Sequence, residues 1–306
     1  MGKTFIPAEF GQKYSALLVD DYARFLECCG TKIPKSIWVN SLKAKPAELA
    51  GQLGAKGWKL TALFHENSFA LEGIDRPGGS DEFRQGLFNL QEKSSMLPAL
   101  ILNPRRDDFV LDACAAPGNK TLQLSCLMRG KGKIVASDKS VQRHKSLRFN
   151  IKKFGMKNVI AQRQDVLTAK KNGIFDKILL DAPCSSEGLV RKDFDALKNW
   201  SPALVLEKSA LQKGLFEKCL QLLKKGGELA YSTCSLSPEE NEEVVAEFLS
   251  HGKIEMLDAR VEGFKTRPGL LEYNGKKFGK EMQKAVRVLP QDNDSQAFFI
   301  AKMRKL

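Results

Sequence analysis

The stretch Asp-Phe-Val-Leu-Asp-Ala-Cys-Ala-Ala-Pro-Gly-Asn-Lys-Thr, residues 108–121, decides the fold. Its first half is a short apolar run typical of a strand, and Pro117 and Gly118 follow in a turn. A helical pattern then covers residues 121–128. This order predicts a strand, a tight turn and a helix whose free backbone N–H groups face the turn. Such a helix N-terminus is suited to binding a carboxylate or phosphate group.

The alternation of strand and helix continues through the rest of the chain. Strands are predicted at residues 108–114, 133–138, 159–165, 175–182 and 227–233. Helices are predicted between and after them, at residues 121–128, 140–154, 202–223 and 238–250. Nearly continuous apolar strands in this order predict an α/β fold with a doubly wound, mostly parallel sheet covered on both faces. A last run, Gln296–Arg304, is predicted to add an edge strand.

Polar side chains stand at the predicted carboxyl ends of these strands. Asp138, Asp165 and Asp181 each follow a strand, and Cys184 and Cys234 come after the last two parallel strands. Ligands of doubly wound sheets bind at this edge, and core packing does not require three carboxylates and two thiols there. A single Asp in this position could simply cap a helix. Together the five side chains predict a functional site.

The loop after the first strand indicates which ligand this site takes. It contains one glycine, Gly118, whereas the pattern that binds a dinucleotide pyrophosphate contains three. A small nucleoside ligand therefore fits better than a dinucleotide. Asp138 follows the loop at the distance at which acidic residues accept from ribose hydroxyls. Asp165, at the next strand, could accept from an adenine amino group.

The charge of the chain is strongly positive and unevenly distributed. The 306 residues include 49 Lys and Arg and 36 Asp and Glu, a formal charge of +13. Thirteen of the basic residues lie between Arg129 and Lys171 against two acids, and ten more lie in residues 265–306 against four acids. This excess suggests a polyanionic partner such as nucleic acid, although a merely soluble basic protein would also explain the total.

The predicted helix over residues 140–154 carries part of this charge. Its apolar residues recur at helical spacing and leave the basic side chains on the outer face; they are Val141, Leu147, Ile151 and Phe154.

Several classes of protein are disfavoured by composition. No apolar run approaches the ~20 residues of a membrane span, and the first residues lack the apolar region of a secretory signal. The seven cysteines, from Cys28 to Cys234, show neither a disulfide framework nor paired metal spacing. We therefore expect a cytoplasmic protein without a metal site, and a monomer by default.

Three loops resemble those of one enzyme family. The segments are Asp112–Thr121, Asp181-Ala-Pro-Cys-Ser-Ser-Glu-Gly188 and Ser232-Thr-Cys-Ser235. They look like the signature loops of the S-adenosylmethionine-dependent RNA cytosine-C5 methyltransferases, the RsmB/RsmF/NSUN family. Cysteines on two adjacent strand ends distinguish this family. Upstream, residues 36–43 and 86–98 are similar to the segments that precede the family's methyltransferase core.

The resemblance implies a fold and a division of the chain. The fold would be Rossmann-like, as in class I methyltransferases, with S-adenosylmethionine as cofactor and RNA as partner. Residues 1–80 would form a small α+β accessory RNA-binding domain, with Ser36–Lys43 and Trp58–Leu63 as strands. Residues 81–306 would form the catalytic domain. The target cytosine would be unpaired or flipped, because a base inside a stem cannot reach a strand-end site.

The resemblance also implies roles for individual residues. Cys234 would be the nucleophile and Cys184 would assist breakdown of the covalent adduct, although composition alone cannot rank the two thiols. Asp181 would hold the base, and Pro183 would stiffen its loop. The residues predicted to bind the cofactor are Cys114, Ala115, Ala116, Pro117, Gly118, Asn119, Lys120, Asp138, Arg143, Asp165 and Asp181.

Two further expectations concern the cysteines. The segment Ser237-Pro238-Glu239-Glu240 has the pattern of a capping box, which would place Cys234 just ahead of a helix N-terminus that stabilises a thiolate. The thiols of Cys114, Cys126 and Cys219 are expected to serve packing in the interior.

Within the family, residues 187–201 look most like the RsmF branch, which modifies small-subunit ribosomal RNA. Trp38 stands where an Arg is usual, and the chain stops at Leu306, where RsmF-type proteins continue into a further RNA-binding region. We expect that extension to be missing. The expected substrate is 16S-type ribosomal RNA, with transfer RNA as the alternative.

Other classes of function remain as rivals. A nicotinamide oxidoreductase would need more glycines in the first loop and has no use for two strand-end thiols. A methyltransferase that acts on DNA or protein would share the cofactor site. A non-catalytic RNA-binding module would explain the charge but would leave Cys184 and Cys234 without a purpose.

Overall fold

Two sheets organise the chain in the computed structural model, which describes residues 5–193 and 195–306. Residues 1–4 of the predicted N-terminal domain, and residue 194 of the segment that resembles RsmF, lie outside the described residues. The smaller sheet has four strands and the larger has nine.

The smaller sheet lies in the first ninety residues. The strands are β1 (Lys35–Val39), β2 (Lys59–Ala62), β3 (Ser68–Glu72) and β4 (Phe88–Leu90), all antiparallel, in the order β2-β3-β1-β4. The helices of this region are α1 (Ala8–Leu18), α2 (Tyr22–Cys29), α3 (Pro46–Ala55) and α4 (Asp81–Arg84). Both strands predicted here are present. The fourth strand lies beyond residue 80, and the domain boundary at that residue stays a prediction.

The first two helices do not pack on the small sheet. Phe10 and Tyr14 of α1 and Phe25 of α2 are buried in a cluster with Trp200 and Leu236. This cluster belongs to the region of the larger sheet. The N-terminal segment is therefore built into the part of the molecule that carries the two thiols.

The larger sheet has a parallel centre and an antiparallel side. Its parallel strands are β5 (Phe109–Asp112), β6 (Lys133–Ser137), β7 (Val159–Gln162), β8 (Phe175–Asp181) and β9 (Leu223–Thr233). The helices that accompany them are α5 (Leu97–Leu102), α6 (Asn119–Leu127), α7 (Val141–Phe154), α8 (Pro202–Leu222) and α9 (Glu242–Ser250). The predicted doubly wound, mostly parallel sheet is confirmed.

The antiparallel side comes from the last fifty residues. The elements are β10 (Ile254–Leu257), β11 (Arg267–Pro268), β12 (Glu272–Tyr273), β13 (Lys276–Lys277), β14 (Val286–Val288), α10 (Pro290–Asn293) and β15 (Phe298–Lys305). The order across the sheet is β11-β14-β15-β9-β8-β5-β6-β7, with β10 also paired to β15, while β12 and β13 form a separate hairpin.

The order of the parallel strands fixes the place of a ligand site. From β5 the chain moves outward to β6 and β7, and then returns to β8 on the other side of β5. The strand order thus reverses between β5 and β8. In open α/β sheets the crevice outside the carboxyl ends at such a reversal is where ligands bind.

Two predictions about the C-terminal part are wrong. The run Gln296–Arg304 was predicted as an edge strand, but β15 lies inside the sheet, with β9 on one side and β14 and β10 on the other. The strands on its outer side, β10, β14 and beyond it β11, are only two to four residues long and carry little sequence pattern. The helix predicted from Pro238 begins at Glu242.

The predicted capping box at Ser237–Glu240 does not form. Residues 238–241 make turns, and the side chains of Ser237 and Glu240 are directed into buried hydrogen bonds with Glu187 and Ser185. Buried polar groups require partners, and these partners compete with a helix cap. Helix α9 therefore begins eight residues after Cys234, and its N-terminus gives no support to a thiolate there.

One face of the sheet is less covered than predicted. The connection from β7 to β8 contains a single 3₁₀ turn, Val166–Thr168, and no α-helix is found among its described residues. A groove lined by Phe109, Val135 and Phe175 remains on this face. In the part of the chain that the structure describes, no helix has both the length and the apolar character of a membrane span.

Candidate active site

The two thiols predicted at the strand ends lie in contact. Strands β8 and β9 are parallel neighbours, with Asp181 opposite Ser232. The loops that follow them bring the Sγ atoms of Cys184 and Cys234 to 3.0 Å from each other. Both are free thiols and both are partly exposed. The arrangement therefore presents two sulfur atoms together at the carboxyl edge of the sheet.

The contact between the two thiols affects their protonation. The hydrogen bond with Cys234, followed by burial, raises the pKa of Cys184 well above its ordinary value. Cys184 therefore keeps its proton at neutral pH. Because a thiolate and not a thiol attacks an electrophile, the pair must lose one proton before a sulfur atom can attack. The assignment of Cys234 as the nucleophile therefore rests on the resemblance of its loop to the family's signature loop, and not on a helix N-terminus.

The carboxylate of Asp181 is held from two sides. Its Oδ2 atom accepts a hydrogen bond from Lys120 Nζ at 2.7 Å, and its Oδ1 atom accepts one from Ser232 Oγ at 2.7 Å. Lys120 is the second residue of helix α6, and its ammonium group also lies over the ring of Phe298, 5.3 Å from the centroid. The ion pair ties the loop after β5 to the end of β8. The sequence pattern gave no indication of this pairing.

Predicted cofactor residues line a cleft beside the thiols. Four of them do so directly, namely Cys114, Asp138, Arg143 and Asp165, and Pro183, which was predicted as a catalytic residue, lines the cleft as well. The cleft is completed by residues that the sequence pattern did not single out, among them Ala113, Lys139, Gln164, Val166, Leu211 and Leu215. The cleft therefore combines carboxylate and basic side chains with an apolar wall. A nucleoside ligand requires polar and apolar contacts of this kind.

The loop of residues 115–120 runs past this cleft. Arg143 donates to the carbonyl oxygen of Ala116 at 2.6 Å, and Asn150 donates to that of Pro117 at 2.9 Å. Gly118 has a φ of 106° and a Cβ there would lie 3.0 Å from Leu147 Cδ1, so only glycine fits this turn. Helix α7 thus supports the loop from outside. The predicted cofactor residues of this loop, Ala115 to Lys120, are not themselves part of the lining of the cleft.

Asp112 anchors the same loop from below. It is buried at the end of β5 and accepts a hydrogen bond from Thr121 Oγ1 at 2.6 Å. Burial raises the pKa of this carboxyl group to about 7. Asp112 therefore fixes the start of helix α6, while the carboxylates that face the cleft come from later strands.

Asp138 and Asp165 both cap turns and line the cleft. Asp138 accepts from the backbone N–H of Ser140 at 2.9 Å and pairs with Arg143 at 3.3 Å. Asp165 accepts from the backbone N–H of Leu167 at 3.1 Å and lies 3.6 Å from Lys139 Nζ. Each carboxylate thus caps a turn. Since a carboxylate has about four acceptor positions, each retains capacity for the hydroxyl or amino groups of a ligand in the cleft.

Two buried carboxyl groups behind the thiols were not predicted as site residues. Glu187 and Glu240 are both fully buried, and they hydrogen-bond the serines that follow the two cysteines. Glu240 was interpreted as part of a capping box. The sequence shows only that an acidic residue follows each cysteine within a few positions. It does not show that the side chains of these acidic residues are buried.

Comparisons with known proteins agree with this architecture. A family model described as 16S rRNA methyltransferase RsmB/F matches residues 99–304. A second model, described as the N-terminal domain of 16S rRNA methyltransferase RsmF, matches residues 6–93. The two matches together cover both sheets.

Curated relatives match over nearly the whole chain. A ribosomal RNA small subunit methyltransferase F of Vibrio parahaemolyticus is 39% identical over 98% of this chain, which spans 63% of the length of that relative. A tRNA (cytosine(49)-C(5))-methyltransferase of Pyrococcus abyssi is 37% identical over 96% of this chain and 94% of its own length.

Solved structures share the fold. A methyltransferase homologue from Pyrococcus horikoshii is 35% identical and superposes with a TM-score of 0.85 over 98% of this chain and 96% of its own. NSun6 from the same organism has a TM-score of 0.86 at 24% identity over 98% of both chains.

Proposed function

The chain belongs to the RsmB/F family of methyltransferases, and from that premise we propose that it transfers a methyl group from S-adenosylmethionine to carbon 5 of a cytosine in RNA. The observation that carries this proposal is the contact of Cys184 and Cys234 at 3.0 Å, beside a cleft suited to a nucleoside. A protein that only binds RNA has no use for two thiols in contact at a strand-end site.

The chemistry explains why a thiol is needed. Carbon 5 of cytosine is too weak a nucleophile to take a methyl group directly. When the thiolate of Cys234 adds to carbon 6, a C–S bond forms and the electron pair of the ring moves to carbon 5. S-adenosylmethionine supplies an electrophilic methyl group when it is bound. Loss of the proton from carbon 5 then returns the electron pair, breaks the C–S bond and releases Cys234 as a thiolate.

We assign removal of the proton on carbon 5 to Cys184. Its hydrogen bond with Cys234 is the largest cause of its raised pKa. Once Cys234 is bonded to carbon 6, that contribution is lost, and the pKa of Cys184 falls at the stage at which a base is required. General base help of this kind is worth about 10²–10⁴ in rate.

The remaining residues position the reactants. Asp181, held by Lys120 and Ser232, would accept from the amino edge of the cytosine, and Pro183 would keep its loop rigid. For the cofactor, Asp138 would take the ribose hydroxyls and Asp165 the adenine amino group. The N-terminus of α6 and the loop of residues 114–120, supported by Arg143, would hold the methionine part.

Two RNA substrates are supported by different observations. The match of residues 6–93 to the RsmF N-terminal domain favours small-subunit ribosomal RNA. The nearly end-to-end match to a tRNA methyltransferase favours transfer RNA as the second candidate. We propose ribosomal RNA first, because both halves of the chain match models named for 16S rRNA methyltransferases.

Incubation with methyl-labelled S-adenosylmethionine tests this function. We expect label in a 16S rRNA transcript, recovered as 5-methylcytosine by mass spectrometry of the digested RNA, and none in a DNA of the same sequence. A transfer RNA transcript in parallel decides between the two RNA substrates. Label in DNA or in protein, or a methylated base other than 5-methylcytosine, would refute the proposal.

Helix α7 offers a surface for the RNA backbone. It contains five Lys and Arg and no acidic residue. Lys145, Arg148 and Lys152 share one exposed face, and none of them forms an ion pair with another described residue. Phe149 and Val141 are 67% and 54% exposed on the same side, so the prediction that Val141 faces inward with Leu147 and Phe154 is wrong. Unpaired cations beside an exposed aromatic ring suit phosphates and a stacked base.

Replacing Lys145, Arg148 and Lys152 together with Ala should weaken RNA binding at least about tenfold at physiological salt. Loss of three phosphate contacts should also reduce the slope of log affinity against log salt by about 2. Binding of S-adenosylhomocysteine should not change. The measurement is fluorescence anisotropy with labelled RNA over a salt series.

A matched control replaces Lys218, Lys224 and Lys225, which lie on α8 and at the start of β9. These positions are at the end of the sheet away from the thiols, and the control removes the same number of charges. If both triple variants lose the same affinity and slope, the net charge and not the α7 face would account for binding.

A further inference from the structure

One buried carboxyl group joins the two loops that carry the thiols. Ser185 follows Cys184, and its backbone N–H donates to Glu240 Oε2 at 2.9 Å while its hydroxyl bonds Glu240 Oε1. Ser235 follows Cys234, and its Oγ atom lies 2.7 Å from Glu240 Oε1. Each cysteine is therefore one residue from a hydrogen bond to the same side chain.

Glu240 is itself held from two further elements. Gln212 of helix α8 donates through Nε2 to Glu240 Oε2 at 2.8 Å and to the carbonyl oxygen of Pro183 at 2.9 Å. The hydroxyl of Tyr231 on strand β9 donates to the backbone carbonyl of Glu240. The carboxyl group is thus fixed relative to the sheet, and with it the separation of the two loops.

Glu187, the second buried carboxyl group, already has many donors. Tyr14 and Trp200 donate to it at 2.6 Å each, and the hydroxyl of Ser237 donates at 2.7 Å. The backbone N–H groups of Leu236 and Ser237 donate at 2.8 and 2.9 Å. A carboxylate can only accept hydrogen bonds, so this surrounding fits the ionised form of Glu187.

The hydrogen bonds of Ser235 bear on the protonation of Glu240. Ser235 Oγ lies 2.9 Å from Glu187 Oε2 and 2.7 Å from Glu240 Oε1. A hydroxyl carries one hydrogen and can donate to only one of them. If Ser235 donates to Glu187, its contact with Glu240 needs a hydrogen on the carboxyl group. Burial, followed by the negative charge of Glu187, raises the pKa of Glu240, in agreement with this count.

We propose that Glu240 is a positioning residue that keeps Cys184 and Cys234 in contact, and that it does so as a neutral carboxylic acid that donates to Ser235. The inference rests on the proposed function only in what it says about methyl transfer. It follows that Gln can take the place of Glu240. The amide oxygen would accept from Ser185 N–H and Gln212, and the NH₂ group would donate to Ser185 Oγ and Ser235 Oγ.

A trivalent arsenical measures the thiol contact without RNA or cofactor. Phenylarsine oxide forms two As–S bonds with two neighbouring thiols, and its oxygen leaves as water with both thiol protons. The rate of this reaction is followed by the mass of the intact protein, and the Cys184→Ser variant gives the background from the other cysteines. We expect the wild type and Glu240→Gln to react within threefold of each other, and Glu240→Ala at least tenfold more slowly.

The same variants are then compared in single-turnover methyl transfer to RNA. We expect Glu240→Gln to retain at least a third of the wild-type rate and Glu240→Ala to lose at least 30-fold. Binding of S-adenosylhomocysteine should change less than threefold in both, because Glu240 does not line the cleft. Rescue by the uncharged amide separates a positioning role from a need for charge.

Two outcomes would overturn the inference. If Glu240→Ala reacts with the arsenical as fast as the wild type, Glu240 has no positioning role. If Glu240→Gln reacts as slowly as Glu240→Ala, Glu240 does not act as a neutral carboxylic acid. If Glu240→Ala does not fold, Ser235→Ala takes its place and should also slow the arsenical reaction; an unchanged rate would contradict the proposal. Should the wild type methylate no RNA, the proposed function fails while the arsenical rates still decide the role of Glu240.

Discussion

Replacing Cys234 with Ser is expected to lower methyl transfer to RNA at least about 10³-fold and to abolish the covalent adduct. A serine hydroxyl is not ionised at neutral pH, so it cannot add to carbon 6 of the base. Adduct formation is measured with labelled RNA on a denaturing gel.

The Cys184→Ser variant should behave in the opposite way on the same gel. Cys234 can still attack carbon 6, but breakdown of the adduct lacks its base, so a covalent protein–RNA complex should accumulate. Cys28→Ser serves as the control, since Cys28 lies at the end of α2 and is not part of the thiol pair. Accumulation with Cys234→Ser and none with Cys184→Ser would reassign the nucleophile.

Replacing Gly188 with Ala is expected to destabilise the protein by about 3 kcal/mol and to displace the loop of Cys234. The backbone N–H of Gly188 donates to the carbonyl oxygen of Cys234 at 2.7 Å. A Cβ at this position would lie 2.7 Å from that oxygen and 2.6 Å from the carbonyl oxygen of Ala297. Both contacts are with backbone, so neither neighbour can turn aside.

Gly54→Ala is the matched control for this substitution. Gly54 lies in helix α3, and a Cβ there would have no atom within 4 Å. Alanine should therefore stabilise that helix by about 0.5–1 kcal/mol. Urea unfolding measures both free energies of unfolding, and the arsenical reaction reports the thiol contact in Gly188→Ala. A loss below 1 kcal/mol with an unchanged arsenical rate would show that the loop tolerates the methyl group.

The centre of the fold could be predicted from the sequence because it depends on local pattern. Alternating strands and helices specify a parallel sheet, and parallel strands place their carboxyl ends at one edge. Cys184 and Cys234 were therefore expected at the same edge. That their sulfur atoms touch could not be predicted, since this depends on two loops and not on the strands.

What could not be predicted depends on partners far away in the chain. Glu240 has the local pattern of a helix cap, and its actual partner, Ser185, lies 55 residues earlier. Burial of a polar side chain makes the distant hydrogen bond decisive, and no local pattern reports it. Asp138 and Asp165 differ from Glu240, because they form the local caps that the sequence predicts and also line the cleft.

The position of β15 inside the larger sheet has a consequence for the order of folding. β9 pairs with β15 on its outer side, and β10 and β14 reach the sheet only through β15. Until β15 has been made, β10 therefore has no partner in this sheet and β14 has only the two-residue strand β11. Contacts over such sequence separations are slow to form. The antiparallel side can therefore join the parallel strands only after β15, the last strand of the chain, has been synthesised.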